Sequence, residues 1–376
     1  VRRILGIVLA FVLIGGVITA VVLGRGDSEA NDTTTVRGVI GSEKAEFFED
    51  EKVRDALADK GYIVETESAG SWDMEGLDLA GDDFAFPGSS APADALQRAH
   101  KTTGAPLRPF YSPLVVLTRR SAAEALAANG LATLTGTAGK TSGTSGTSGT
   151  SQQGSGTLRM EPFLKAAAKD TTWQDLKGTK GHADLSGTVF VTSTDPLASN
   201  SGALYLATAS YVANGNRLVT DDKGVAASTP LTRKLTVVQG RQQTNSDAPF
   251  RDFVSGVGTP LVLAYESQIA SLLVRGDTVE DLVVLYPDTT VYSDHSLVPL
   301  TAEGKKFGEL LRTDPELRKL AVRHGFRPAG DTSEFAAATA GHGAYLRQKL
   351  TGTVQQAPVP TVEVMRDIAR RSRAEK

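Results

Sequence analysis

The chain has 376 residues, no cysteine, 38 glycines, 16 prolines and 6% aromatic residues, with 40 basic against 43 acidic side chains. That length exceeds one ordinary core and points to two domains or one large two-lobed domain, which the 40% apolar content suffices to fill. The absence of cysteine excludes disulfide scaffolds, zinc ribbons and thiol catalysis, and a formal charge of -3 with short runs of mixed sign argues against a nucleic-acid coat.

Arg2 and Arg3 precede an uncharged, mostly apolar run that reaches Gly24. A helix of that length spans the ~30 Å hydrocarbon layer of a membrane. The length of the run and the lack of an Ala-x-Ala site favour an uncleaved anchor over a cleaved secretory signal. The two arginines place the bulk of the chain outside the cell by the positive-inside rule. Residues 25–35 are polar and unpatterned and read as a stalk.

From Val36 the pattern alternates strand and helix. The predicted elements are a strand at 36–41, a helix from Ser42 to Gly61, strands at 62–66 and 83–86, a helix after Gly88-Ser89-Ser90, and a buried strand at 113–118. Ser121 and Glu124, three apart, form a capping-box pattern for the next helix. Strands alternating with helices predict a parallel α/β sheet with right-handed crossovers. Three Thr-Ser-Gly repeats at 141–149 then interrupt it, and a tract without apolar side chains cannot offset its conformational entropy, so 136–157 reads as a disordered insertion. Beyond it come a second capping box at Thr172 and Asp175, a strand at 188–193, a helix from Ser201 to Asn214, strands at 260–265 and 282–286, and an amphipathic helical stretch at 301–325. A basic helix around 364–373 closes a tail expected to be peripheral.

Several catalytic signatures fail. Gly139-Lys140-Thr141 lacks the leading glycine of a phosphate-binding loop, and Gly256-Val257-Gly258 lacks the third glycine of a dinucleotide fingerprint. The five histidines (His100, His182, His295, His324 and His342) show no metal-binding spacing, and neither Gly-x-Ser-x-Gly nor Ser-x-x-Lys occurs. No metal, cofactor or catalytic residue is assigned. What recurs is small hydroxyl residues at strand-to-helix junctions: Ser42, Ser71 beside Trp72, Ser89 and Ser90, then Ser199, Asn200 and Ser201. In a parallel α/β sheet these junctions gather at the carboxyl ends of the strands, where ligands bind. There, helix N-termini, hydroxyls and amides cradle an anion or a polar small molecule. Each serine singly also fits an ordinary helix cap.

The runs Val39-Ile40-Gly41-Ser42, Asp83 to Ser90, Pro109 to Leu117, Thr172 to Gly178, Thr194 to Gly202, Leu263-Ala264-Tyr265-Glu266 and Val322 to Pro328 resemble type 2 periplasmic solute-binding proteins of ABC-type transporters, with similarity to the molybdate-binding branch. The resemblance implies two α/β lobes that close on a ligand: lobe one at 36–115 plus 292–330, lobe two at 116–291, and a tail at 331–376. It implies ligand contacts from Ser42, Ser71 and Ser89 on one side and Ser199 to Ser201 and Tyr265 on the other. Two features depart from that branch. Glu266 would repel an anion if it faced the cleft, and Trp72-Asp73 adds an aromatic face and a carboxylate suited to a cationic or organic ligand. The expectation is therefore a membrane-anchored, monomeric, extracytoplasmic solute-binding protein and not an enzyme. It would capture a small polar solute, an oxyanion or small organic molecule, for a permease or sensor. The alternative is a ligand-free module that binds another envelope protein.

Overall fold

The computed structural model describes residues 33–135, 154–330 and 333–373. The expected anchor at 1–24, most of the stalk and the insertion up to residue 153 lie outside the described residues, while 155–157, expected to be disordered with the insertion, belong to the strand Ser155–Leu158; among the described residues, no helix is long and apolar enough to cross a membrane.

β1 (Thr34–Ile40), β2 (Tyr62–Ser68) and β3 (Phe84–Phe86) form a parallel sheet in the order β3-β1-β2, with Val36 opposite Val64 and Val39 opposite Ala85. The strand Val298–Pro299 returns antiparallel to β3. Phe47, Phe84, Phe110, Phe307 and Phe326 belong to the core on one side of this first unit, and the Phe110 and Phe326 rings stack with centroids 4.2 Å apart. The helix expected from Ser42 is divided. A 3-10 turn, Ser42–Lys44, leads into helices Ala45–Glu49 and Glu51–Asp59. The break falls at Asp50, whose extended backbone and carboxylate, accepting the N–H groups of Lys52 (2.8 Å) and Val53 (3.2 Å), start a new helix. Asp50 is the cap, and Ser42 is left free of that duty.

β4 (Phe110–Arg119) is shared between two units. Phe110 packs in the first aromatic core, while Leu114 and Val116 belong to the core of the second unit. Around β4 lies a seven-stranded mixed sheet in the order Tyr292–Asp294, β4, Leu282–Pro287, Ser155–Leu158, Ala132–Leu134, with Leu261–Tyr265 and Arg327–Pro328 also pairing with β4. β4 and the antiparallel Tyr292–Asp294 thus carry the chain from one unit to the other.

Four expectations are corrected. The segment 188–193 makes only isolated bridges, Thr172 to Thr188 and Thr192 to Val262, in place of a strand. Ser121 is no cap: its helix, Arg120–Ala128, starts without a side-chain cap and the Ser121 hydroxyl lies 3.3 Å from Asp184 Oδ2. The 301–325 stretch is two helices, Ala302–Thr313 and Pro315–Arg323, parted at Asp314, whose carboxylate caps the second. The tail is not peripheral. Gln355–Gln356 pairs with Thr289–Thr290, and Val362, Met365 and Ile368 of the last helix, Val362–Ser372, are buried in the core of the second unit.

Candidate ligand cleft

The strand ends of the first unit meet the start of the helix Asn200–Ala213 in the second. The meeting is close because glycines stand on the first side: a Cβ at Gly70 would sit 2.6 Å from the Ala198 carbonyl, and one at Gly88 2.7 Å from Asn200 Nδ2. Across this seam Trp72 N–H donates to the Ala198 carbonyl (3.0 Å) and the Ser89 hydroxyl donates to Asn200 Oδ1 (2.5 Å). Asn200 Nδ2 in turn donates to the Tyr265 hydroxyl (3.0 Å) and to Ser293 Oγ (3.2 Å), and the Ser293 hydroxyl donates to the Gly88 carbonyl. Ser71 Oγ accepts the Gly88 N–H at 2.9 Å and holds that loop in place. In the second unit Ser201 Oγ lies 2.7 Å from Thr194 Oγ1 and 3.2 Å from Ser199 Oγ.

Ser89 and Ser199 both stand at the N-cap position of their helices, yet neither side chain caps. Their hydroxyls point to Asn200 and Ser201 instead. Ser90, half-buried, is the first residue of its helix. Trp72 is buried, with its indole N–H lacking an acceptor and the Arg366 guanidinium 5.7 Å from its ring centre. Burial drives the Tyr265 hydroxyl far above its ordinary range, and the Glu43 carboxylate adds to that, against the bonds from Asn200, Ser293 and Ser201. Tyr265 is a neutral phenol here.

Glu266 is the exception, and its expected place in the cleft is corrected. It is fully buried on the opposite side, where Arg327 Nε and Nη2 reach its two oxygens at 2.5 and 2.8 Å and the Tyr286 hydroxyl donates to Oε1 at 2.5 Å. Both oxygens are engaged, so this carboxylate does not charge the cleft.

Three residues at the centre were not picked out in the sequence. Lys44, fully buried in the same 3-10 turn as Ser42, donates to Glu43 and lies 3.3 Å from His295 Nδ1, which is also 3.3 Å from Glu43 Oε1. Burial opposes the Glu43 charge, but Lys44 and His295 overcome it and hold the carboxyl well below the usual range. Burial lowers the Lys44 ammonium, against the pull of Glu43. It also pushes His295 down to about 4, with the Lys44 charge adding and Glu43 opposing. The cluster is a carboxylate, an ammonium and a neutral imidazole. No local spacing announces it, since His295 is brought in by the second crossing strand. Its one sequence signal is the pair of opposite charges directly after a strand-end serine.

Beside this cluster a cavity of about 20 Å³ is lined by Ser42, Glu46 and His324 from the first unit and by Asp247, Ser267 and Ser271 from the second. That is room for about one water. Ser267 Oγ, Ser271 Oγ and His324 Nδ1 are buried there without partners, and burial raises the Asp247 carboxyl to about 6. Among the described residues no group of three or more His, Cys, Asp or Glu side chains could hold a metal ion.

No known family model matches this sequence, and no curated protein is similar to it. Solved structures are similar in fold. Iron-bound HitA from Pseudomonas aeruginosa superposes with a TM-score of 0.54 at 10% identity, over 90% of this chain and 99% of that one. A putative spermidine/putrescine ABC transporter protein from Listeria monocytogenes gives 0.53 at 9% identity, over 90% and 99%. The sulfate-binding protein SubI from Mycobacterium tuberculosis gives 0.50 at 14% identity, over 88% and 96%. At these identities the likeness is one of fold: the chain is built on the fold of the type 2 solute-binding proteins, as its sequence resemblance implied.

Proposed function

We propose that the protein is an extracytoplasmic solute-binding protein that closes on a small polar solute between its two units and passes it to a transporter or sensor, held at the membrane by residues 1–24. The observation that carries this reading is the use of the strand-end hydroxyls. Ser89 and Ser199 leave their own helices uncapped, and Ser89 joins Asn200, Tyr265 and Ser293 in bonds across the seam. Such hydroxyls and amides are free to turn to a ligand once the units part, and closing restores the bonds. Ser42, Ser71, Ser89, Asn200, Ser201 and Tyr265 are the residues proposed to line the route of the solute. A native-state mass measurement of the purified protein, followed by thermal shift with oxyanions, amino acids, sugars and polyamines, tests it. One class should raise the melting temperature in a dose-dependent way, and Asn200→Ala should weaken that response. A flat response to every class would sink the reading.

One observation favours a second reading, a binding-protein-like module that recognises another envelope protein. The cation that would attract an anion, Lys44, is already neutralised by Glu43, and the space beside it holds no more than a water. A flat solute screen combined with stoichiometric co-purification of one membrane protein would support this alternative.

A further inference from the structure

The centre of the seam is filled, but its edge is not. A cavity of about 260 Å³ opens where the first unit, the second unit and the last helix meet. Trp72 and Asp73 come from the first unit, Leu197 from the second, and Met365, Arg366 and Arg370 from the helix Val362–Ser372. That volume lies just under the ~300 Å³ at which pockets for drug-sized ligands begin, which suits a molecule of amino-acid size.

The charges around it are not evenly spent. Glu75 is taken by Arg366, and Asp195 by Arg373. Asp73 has no ion-pair partner among the described residues, and burial together with the Asp195 charge raises its carboxyl. Arg370 is mostly exposed and has only Asp367, 3.6 Å away on its own helix. The indole N–H of Trp72 is buried without an acceptor. The wall is also firm. Met365 and Ile368 anchor the helix in the second unit, while its Glu363 pairs with Arg98 of the first at 2.5 Å.

We propose that this cavity is a binding site for a small zwitterion, an amine and a carboxylate on one amino-acid-sized molecule. The ammonium faces Asp73, the carboxylate faces Arg370, and the carbon skeleton lies against Trp72, Leu197 and Met365. A simple anion would meet Asp73 with the wrong sign, and a simple cation would meet Arg370, since Arg366 is spent on Glu75. Only a molecule with both charges finds an opposite partner for each. This rests on the solute-binding reading and moves its occupant from the centre of the seam to its edge, where the last helix forms one wall.

The test is calorimetric titration of the full chain with L-alanine, L-serine, L-methionine and L-phenylalanine, each tested singly, against butyrate and n-butylamine. At least one amino acid should bind, and each single-charge analogue should bind at least ~10-fold more weakly, the loss of one charge-assisted bond. Asp73→Asn and Arg370→Gln should each weaken the amino acid by ~10-fold or more while far-UV circular dichroism and melting stay unchanged, because both side chains are exposed. Zwitterions binding no better than butyrate or butylamine, or variants of unchanged affinity, would overturn the site. A solute of another class whose binding depends on Asn200 and Ser89 but not on Asp73 and Arg370 would leave the solute-binding reading standing and this one fallen. No binding by any solute class would remove both.

Discussion

Glu266 offers the sharpest test of how the cleft and the core divide the charged residues. Glu266 and Arg327 are both 0% exposed, and the guanidinium meets the carboxylate through two nitrogens. Glu266→Gln keeps the shape but presents an amide N–H₂ to one of those nitrogens and leaves the guanidinium charge buried. Removing one partner of such a pair costs about 3–5 kcal/mol. Here the low end applies, about 3 kcal/mol, because Arg327 keeps the Arg347 and Gln348 carbonyls and the Phe335 ring 3.8 Å from its guanidinium carbon. Replacing both partners by apolar side chains, in Glu266→Leu with Arg327→Met, should recover part of that loss, since apolar replacement of a buried pair is often neutral. Equilibrium urea unfolding followed by far-UV circular dichroism measures all three proteins. A single variant within ~1 kcal/mol of the parent, or a double variant as unstable as the single, refutes the assignment of this pair to the core. Solute affinity should be unchanged in Glu266→Gln; a loss of affinity at constant stability would return the residue to the cleft.

Gly70→Ala should hold the units apart, because the new Cβ meets the Ala198 backbone carbonyl at 2.6 Å, and a backbone atom cannot step aside as a side chain can. Small-angle scattering should show a larger radius of gyration than the parent with little change in melting; identical scattering curves would contradict the close approach. The pH dependence of stability has two opposed parts. His295, lowered by burial and by Lys44 to about 4, refuses a proton that the unfolded chain accepts below ~6.5, so stability is lost as pH falls through that window, by up to about 3 kcal/mol. Asp247, raised by burial to about 6 with Glu43 and Glu46 adding and Arg251 opposing, does the reverse: it stabilises at acid pH and loses that contribution as pH rises through about 6. Melting temperature should therefore vary little from about pH 6.5 to 4 in the parent and fall toward acid in Asp247→Asn; a flat profile in that variant would show that His295 is not held neutral.

The strands themselves were legible because they carry continuous apolar runs, such as Leu114 to Leu117 and Leu261 to Ala264, although these two pair antiparallel where a parallel sheet was expected. Composition alone misled at 188–193. Thr188, Val189, Val191 and Thr192 have the residues of a strand, but the edge of Leu261–Tyr265 that they approach pairs with them only at Thr192 and Val262. The helix Asp222–Val237 went unseen for the opposite reason. Ser228, Thr229, Pro230 and Thr232 argue locally for a loop, and the helix survives Pro230 through its packing on the last helix, where Arg233 Nε donates to the Arg371 carbonyl at 3.2 Å. That support comes from residues more than a hundred positions away, which no window of local sequence contains.

The site was legible where a residue's role follows from its own junction and illegible where it depends on a distant partner. Serines at strand ends fall in the first class, and Lys44, Glu43 and His295 in the second. Tyr265 and Glu266 stand between, on the two sides of one strand-to-helix junction. Tyr265 ends the strand Leu261–Tyr265 and turns toward Asn200, while Glu266 opens the helix Glu266–Val274 and lies in reach of Arg327. Within the strand Tyr292–Asp294 side chains do alternate, and Ser293 goes to Asn200 while its neighbour Tyr292 stacks on Tyr111, with ring centres 5.7 Å apart. The buried pairing with Arg327 takes Glu266 out of the cleft and with it the anion repulsion expected there. The carboxylate that then matters for the choice of solute is Asp73, beside Trp72 at the edge, and a solute chosen by it has to bring a positive charge.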